Sequence, residues 1–155
     1  KKIREIHPEI KLRTTFLVGF PGETAEDHKA LCRFVKEAKF DRVGVFEYSH
    51  EEGTRGYALE DDVPAEVKKQ RAEEIMAIQQ SISLAHNEAM VGRTIKVLID
   101  RKEGGQYVGR SEYDSPEVDN EIWIDSNDKK LTPGTFAMVM ITGASDYDLT
   151  GIPIR

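Results

Sequence analysis

Gly19, Pro21 and Gly22 stand between an apolar run, residues 12–19, and the polar pair Glu23-Thr24. This is the pattern of a strand that ends in a tight turn and opens a helix. In α/β proteins, ligands bind just outside the carboxyl ends of such strands. The glycines let a flat ligand approach the backbone closely, and a helix start offers N–H groups without partners. No Gly-Lys-Ser/Thr follows, so the turn is not a P-loop, and the three-glycine spacing of a dinucleotide site is absent. A plain strand-to-helix connection is the competing reading.

Phe46, Tyr48 and Ser49 end the next apolar run and fall beside Gly19 if the two strands are parallel neighbours. An aromatic ring there can stack on a purine. Core packing competes with that role, and it is expected of Phe46 more than of Tyr48. Glu51 and Glu52 offer an acid or a solvated loop pair, and His50 lies in the same loop with no partner evident from the sequence. Cys32 is the single cysteine, with no metal-ligand spacing to His7, His28, His50 or His86, so it reads as an inert helix residue. No nucleophile arrangement is evident.

The elements that position these residues follow from periodicity. Residues 2–9 read as the tail of a helix. Residues 12–19 read as a buried strand and 42–48 as a second one. Between them Thr24-x-x-Asp27 resembles a capping box, and Leu31, Phe34, Val35 and Ala38 form one apolar stripe. Strand, helix, strand with short connections predicts a right-handed parallel unit with Phe34 and Val35 packed on the sheet. Residues 49–62 read as a loop. Pro64 suits a helix start and Gly92 a stop, with no Gly or Pro at 65–90. Val67, Ile75, Ile78, Ile82, Ala85 and Ala89 give that long linking helix its apolar face.

Beyond residue 94 the period changes to two: Ile95, Val97 and Ile99 alternate with polar neighbours. Short strands are predicted there and at 107–111, 121–125, 136–142 and 146–152. Gly104-Gly105 and Pro133-Gly134 mark turns. Five short strands predict a small antiparallel β barrel of oligonucleotide-binding size. The fold class expected is thus α/β followed by all-β, with residues 1–90 in one domain and 91–155 in the other.

Net charge is −6, and neither half is a basic nucleic-acid platform. Between Arg110 and Lys129 the chain carries Glu112, Asp114, Glu117, Asp119, Glu121, Asp125 and Asp128 without one basic residue. Such a stretch repels phosphates and attracts a basic partner, unless it is only a solvated face. No apolar run reaches the ~20 residues of a membrane span. The first residues are charged, with no apolar signal segment. One cysteine excludes an internal disulfide, so a cytoplasmic location is expected.

Four stretches together carry a resemblance: 13–24 with its Gly-Phe-Pro-Gly-Glu-Thr turn, 40–54, 109–119 with Asp114-Ser115-Pro116-Glu117-Val118-Asp119, and 141–151. They resemble the ribosomal-protein aspartate methylthiotransferases, radical SAM enzymes of the RimO type. The turn is shared with the wider methylthiotransferase group, whereas the acidic segment resembles the ribosomal-protein branch. The resemblance implies that residues 1–90 are the C-terminal part of a partial (β/α) radical SAM barrel, including the linking helix 65–90. It implies a TRAM domain, a small substrate-recognition barrel, at 91–155.

The reaction implied is transfer of a methylthio group to the β-carbon of an aspartate in a small-subunit ribosomal protein. The cofactors implied are S-adenosyl-L-methionine (SAM) and two [4Fe–4S] clusters. The cluster cysteines of that family are missing here, so the chain alone is expected to be inactive and to hold neither cluster. By position, Leu17 and Gly19 resemble the segment that packs on the SAM adenine, and Phe46, Glu47 and Tyr48 the adjoining strand end. Asp114, Glu117 and Asp119 are the expected recognition residues for a basic ribosomal protein, with direct tRNA binding not expected. Two rivals stay open: the tRNA-modifying branch with an RNA-binding TRAM domain, and a non-enzymatic binding module.

Overall fold

Thr24 accepts from the backbone N–H of Asp27, and the Asp27 carboxylate accepts from that of Thr24. This reciprocal cap satisfies two of the orphan donors of a helix start. It opens helix α2 (Ala25–Ala38), as the sequence predicts. The computed structural model describes residues 2–116, 118–125 and 130–154. It divides into two units, Lys1–Ile82 and Ser83–Arg155.

In the first unit a short helix α1 (Lys2–Ile6) precedes strand β1 (Arg13–Val18). Helix α2 then leads to strand β2 (Arg42–Glu47), which pairs with β1 in parallel, Leu17 opposite Phe46 and Val18 opposite Glu47. A single 3-10 turn, Arg55–Ala58, precedes the long helix α3 (Ala65–Glu88). Val18, Val35 and Ile75 are fully buried at the centre, joined by Cys32 and flanked by Phe16, Leu31, Val43, Val45, Ile78 and Ile82.

Helices α2 and α3 therefore cover one face of the sheet. The expectation of a buried strand is corrected, because β1 alternates exposed with half-buried positions and only its last residue, Val18, is buried. Phe34 also departs from expectation. Val35 fills the core, but Phe34 is half exposed and meets the rings of Phe16 and Phe40 edge-on, at 6.4 and 5.7 Å.

The second unit begins in the last turns of α3 and continues as β3 (Thr94–Glu103), β4 (Gln106–Arg110), β5 (Ile122–Ile124), β6 (Phe136–Ala144) and β7 (Leu149–Pro153). They close a five-stranded barrel in the order β3-β4-β5-β7-β6. Its interior is Val97, Ile99, Tyr107, Ile122, Ile124, Val139, Ile141 and Leu149. Buried Asn87 on α3 donates to the Ser145 carbonyl and accepts from Asn120, which ties the helix end to this barrel. The barrel is mixed rather than wholly antiparallel, because β5 and β7 run parallel. Around a closed ring of five strands directions cannot alternate throughout, so one neighbouring pair must agree.

Gly109 is the most closely approached glycine of the barrel. A Cβ there would lie 2.4 Å from the Leu98 carbonyl oxygen and 2.7 Å from Val97 Cγ1. Gly109→Ala is expected to lower stability by about 1–3 kcal/mol, the usual cost of overpacking. At Gly104 a Cβ meets nothing within 4 Å and φ is +55°, a backbone that asparagine tolerates. Gly104→Asn should therefore change stability by less than about 1 kcal/mol. Urea unfolding of the two variants checks the contrast.

Candidate functional site

The turn after β1 is built by charge. Gly19 has φ +73° and donates its N–H to Glu23 Oε2 at 2.7 Å. Arg71 on α3 donates to Glu23 Oε1 at 2.8 Å and to the Glu23 carbonyl at 3.1 Å. Gly22 donates its N–H to Asp62 Oδ1 at 2.7 Å. The Lys68 stem lies on Gly19, so that a Cβ on the glycine would come 2.3 Å from Lys68 Cγ. The Lys68 ammonium binds both Asp61 oxygens, at 2.6 and 2.7 Å, and lies 5.0 Å from the centre of the Tyr48 ring.

Lys68 and Arg71 were not singled out from the sequence. Their signal was present, because residues 68 and 71 share one helix face with the core residue Ile75. Two cations on an apolar stripe require buried acceptors.

The five residues expected against a cofactor fall into two groups. Leu17 and Phe46 are register partners, 49% and 65% exposed, on the sheet face that the helices leave open. Glu47 is exposed beside them at the end of β2. Gly19 is buried under Lys68, and Tyr48 is only 9% exposed. The Tyr48 ring meets Phe20 edge-on at 5.2 Å and packs over Gly56, whose Cβ would fall 2.9 Å from the Tyr48 hydroxyl. The expected order is thus reversed: Phe46 is the presented ring and Tyr48 the packed one. His50 is not isolated either. Its Nδ1 lies 3.3 Å from the Tyr48 hydroxyl, and its ring is 4.6 Å from that of Tyr57.

Cys32 also has a neighbour, which corrects the expectation that no histidine stands at ligand spacing to it. His28, one helical turn earlier, places Nε2 3.5 Å from the Cys32 sulfur and 2.9 Å from Glu74 Oε2. Burial, and then the Glu74 charge, push the Cys32 thiol pKa up.

In the barrel unit, Asp114 and Asp119 hold their own loop. Asp114 accepts from the Ser111 hydroxyl at 2.5 Å, and Asp119 accepts from the Ser115 N–H at 2.7 Å. Glu117, and Asp128 in the same acidic stretch, lie outside the described residues. The stretch reads as unpaired in one dimension, but the fold brings cations to it. Arg101 on β3 binds both Glu121 oxygens, at 2.6 and 3.0 Å. One groove is lined by Lys96, Arg110, Glu112, Asp114 and Phe136, and an adjoining one by Arg101, Pro116, Asp119 and Glu121. The face is therefore of mixed sign.

A parallel strand–helix–strand unit is followed along the chain by a small closed five-stranded barrel. Residues 91–154 match the TRAM domain. The chain is 51% identical, over its whole length, to the ribosomal protein uS12 methylthiotransferase RimO of Christiangramia forsetii, covering 34% of that protein. Over 97% of the chain it is 51% identical to the protein of that name from Cytophaga hutchinsonii, and over 99% it is 50% identical to that from Flavobacterium johnsoniae, covering 35% of each. The chain is thus similar to the C-terminal part of these methylthiotransferases and spans about a third of the length of the relatives it matches.

Two outcomes follow from the charges. Glu23→Gln keeps an acceptor for Gly19 but leaves the nearly buried Arg71 guanidinium uncompensated, and should cost about 3 kcal/mol in urea unfolding. Glu121 is held below the ordinary glutamate range by its hydrogen bonds from Arg101. A lowered folded pKa gives stability that is complete above the unfolded value and is lost as pH falls through the folded one. Wild type should therefore lose its stability advantage over Glu121→Gln only in acid, below the usual value of 4.5, in thermal melts run across pH.

Proposed function

We propose that this chain is the SAM-side wall and the substrate-recognition barrel of a radical SAM methylthiotransferase that modifies ribosomal protein uS12. The observation that carries the reading is the identity of about half over the whole chain to proteins bearing that name. Residues 1–90, with the linking helix 65–90, are the end of the radical SAM barrel, and 91–155 are the recognition domain. The methylthio group goes to the β-carbon of an aspartate, and the setting is cytoplasmic. Among the described residues no helix is long and apolar enough to cross a membrane.

The residues present fit part of a SAM site. Leu17 and Phe46 offer two adjacent exposed apolar side chains at the carboxyl end of a parallel pair. That is a platform on which an adenine ring can lie. Glu23 and Lys68 keep the turn beside it fixed, and the buried Tyr48 ring packs on Phe20 of that turn. Gly19 serves that turn, because its open side is filled by Lys68. With one cysteine the chain cannot hold a [4Fe–4S] cluster. Both clusters belong to the remainder of the enzyme, where SAM bound to the cluster supplies the radical chemistry.

In the complete enzyme, Phe46→Ala should weaken SAM binding about tenfold, the worth of one base–aromatic contact, while cluster absorption is unchanged. Unaltered SAM affinity in calorimetry would remove Phe46 from the site.

The recognition reading has its own measurement. Asp114→Asn and Asp119→Asn each keep an oxygen acceptor for the loop while removing its charge. Combined with Glu117→Gln, they should slow association with the basic uS12 protein, most at low salt. Tight tRNA binding by the complete enzyme, preserved or improved in that triple variant, would favour the tRNA-modifying branch.

A further inference from the structure

We infer that His28, Cys32 and Glu74 form a binding site for a thiophilic divalent cation of zinc's class, clamping α2 to α3. His28 and Cys32 lie four residues apart on α2, so both side chains leave the same helix face. Each is only 7% exposed. Glu74 comes from the facing helix α3, and one donor atom from each of the three residues lies within 4.8 Å of the others.

The spacing of the sulfur and the ring nitrogen is that of two ligands on one metal. A sulfur and a ring nitrogen bound tetrahedrally to zinc, at about 2.3 and 2.0–2.1 Å, stand about 3.5 Å apart. The Cys32 sulfur and His28 Nε2 are 3.5 Å apart. Glu74 Oε2 is closer to the nitrogen, at 2.9 Å, than the roughly 3.3 Å that the same construction requires. Its side chain is 56% exposed and is free to withdraw by that small amount. His28 Nδ1 is buried without a hydrogen-bond partner, so the ring's polar contacts are all made through Nε2, which is aimed into this cluster.

One sulfur, one imidazole and one carboxylate suit zinc, whereas magnesium and calcium take oxygen donors. Three protein ligands leave a fourth position, on the exposed Glu74 side, for water. On binding, the metal replaces the thiol proton, which passes to solvent. This inference is independent of the proposed enzymatic role. The cluster lies on the helix-covered side of the sheet, away from Leu17 and Phe46.

The probe is cobalt(II), titrated into the purified chain in the presence of a phosphine reductant. One equivalent should produce a thiolate-to-cobalt charge-transfer band in the near ultraviolet and tetrahedral bands in the visible. One equivalent of zinc should abolish both, and zinc should raise the melting temperature. Cys32→Ser should lose the charge-transfer band. His28→Gln and Glu74→Gln should each weaken zinc binding by about tenfold or more. Glu74→Gln is a nearly isosteric change at an exposed position, so it tests the site without unfolding the core. The proposal is overturned if the wild-type chain shows no thiolate band. It is equally overturned if Glu74→Gln, folded by circular dichroism, binds zinc as wild type does.

Discussion

A backbone N–H in a buried turn must find an acceptor, and at Gly19 it finds the carboxylate of Glu23. That choice places a negative charge where water is scarce, so a cation must follow it inward. Arg71 supplies that cation from α3. Lys68, one turn earlier, lays its stem on Gly19 and carries its ammonium to Asp61. Once residues 68 and 71 are held at the turn, Ile75 is the next position on the same face. It is there that the helix meets Val18 and Val35 in the core. The rotation of α3 about its axis is thus set by two ion pairs, and the apolar packing agrees with them. A buried ion pair adds little net stability, but it penalises any register that separates its members.

The barrel is governed by a different constraint. Ring closure removes free edges, and an odd ring cannot alternate its strands throughout. The unavoidable parallel pair falls on β5 and β7, where β5 has only three residues. Placing the mismatch on the shortest strand limits the less favourable parallel ladder to a few bonds. It also explains why the chain does not pass from β5 to a neighbouring strand, since β6 takes its place on the other side of β7.

Much of this was legible in the residues. The capping box of Thr24 and Asp27 is a local pattern with a local cause, and it forms as read. The alternation of Ile95, Val97 and Ile99 likewise reports a single buried face, which the barrel supplies. What escaped the sequence depends on contacts between distant segments. Phe46 and Tyr48 are two residues apart and similar in chemistry. Which of them is covered is decided by Gly56 and Lys68, from a turn and a helix further along the chain. His28 and Cys32 were legible as an i, i+4 pair, but their carboxylate partner comes from α3. The cations that reach the acidic stretch come from β3, before it begins.

The charge of that stretch is consequently not the sum of its carboxylates. A carboxylate that accepts from a hydroxyl or an amide keeps its full charge, because its donor is neutral. Asp114 and Asp119 accept such bonds from Ser111 and Ser115. Glu121 differs. Its bidentate arginine cancels most of its field beyond a few ångströms. A partner approaching within a Debye length, about 8 Å at physiological salt, therefore meets less of the Glu121 charge than the sequence suggests. The hydrogen bonds from Ser111 and Ser115 help fix where Asp114 and Asp119 stand, and Pro116 lies between them in the sequence. Position and charge are separable there, because asparagine preserves the acceptor and removes the charge. An attraction that depends on the field alone then responds to salt, whereas one that depends on the loop's shape does not.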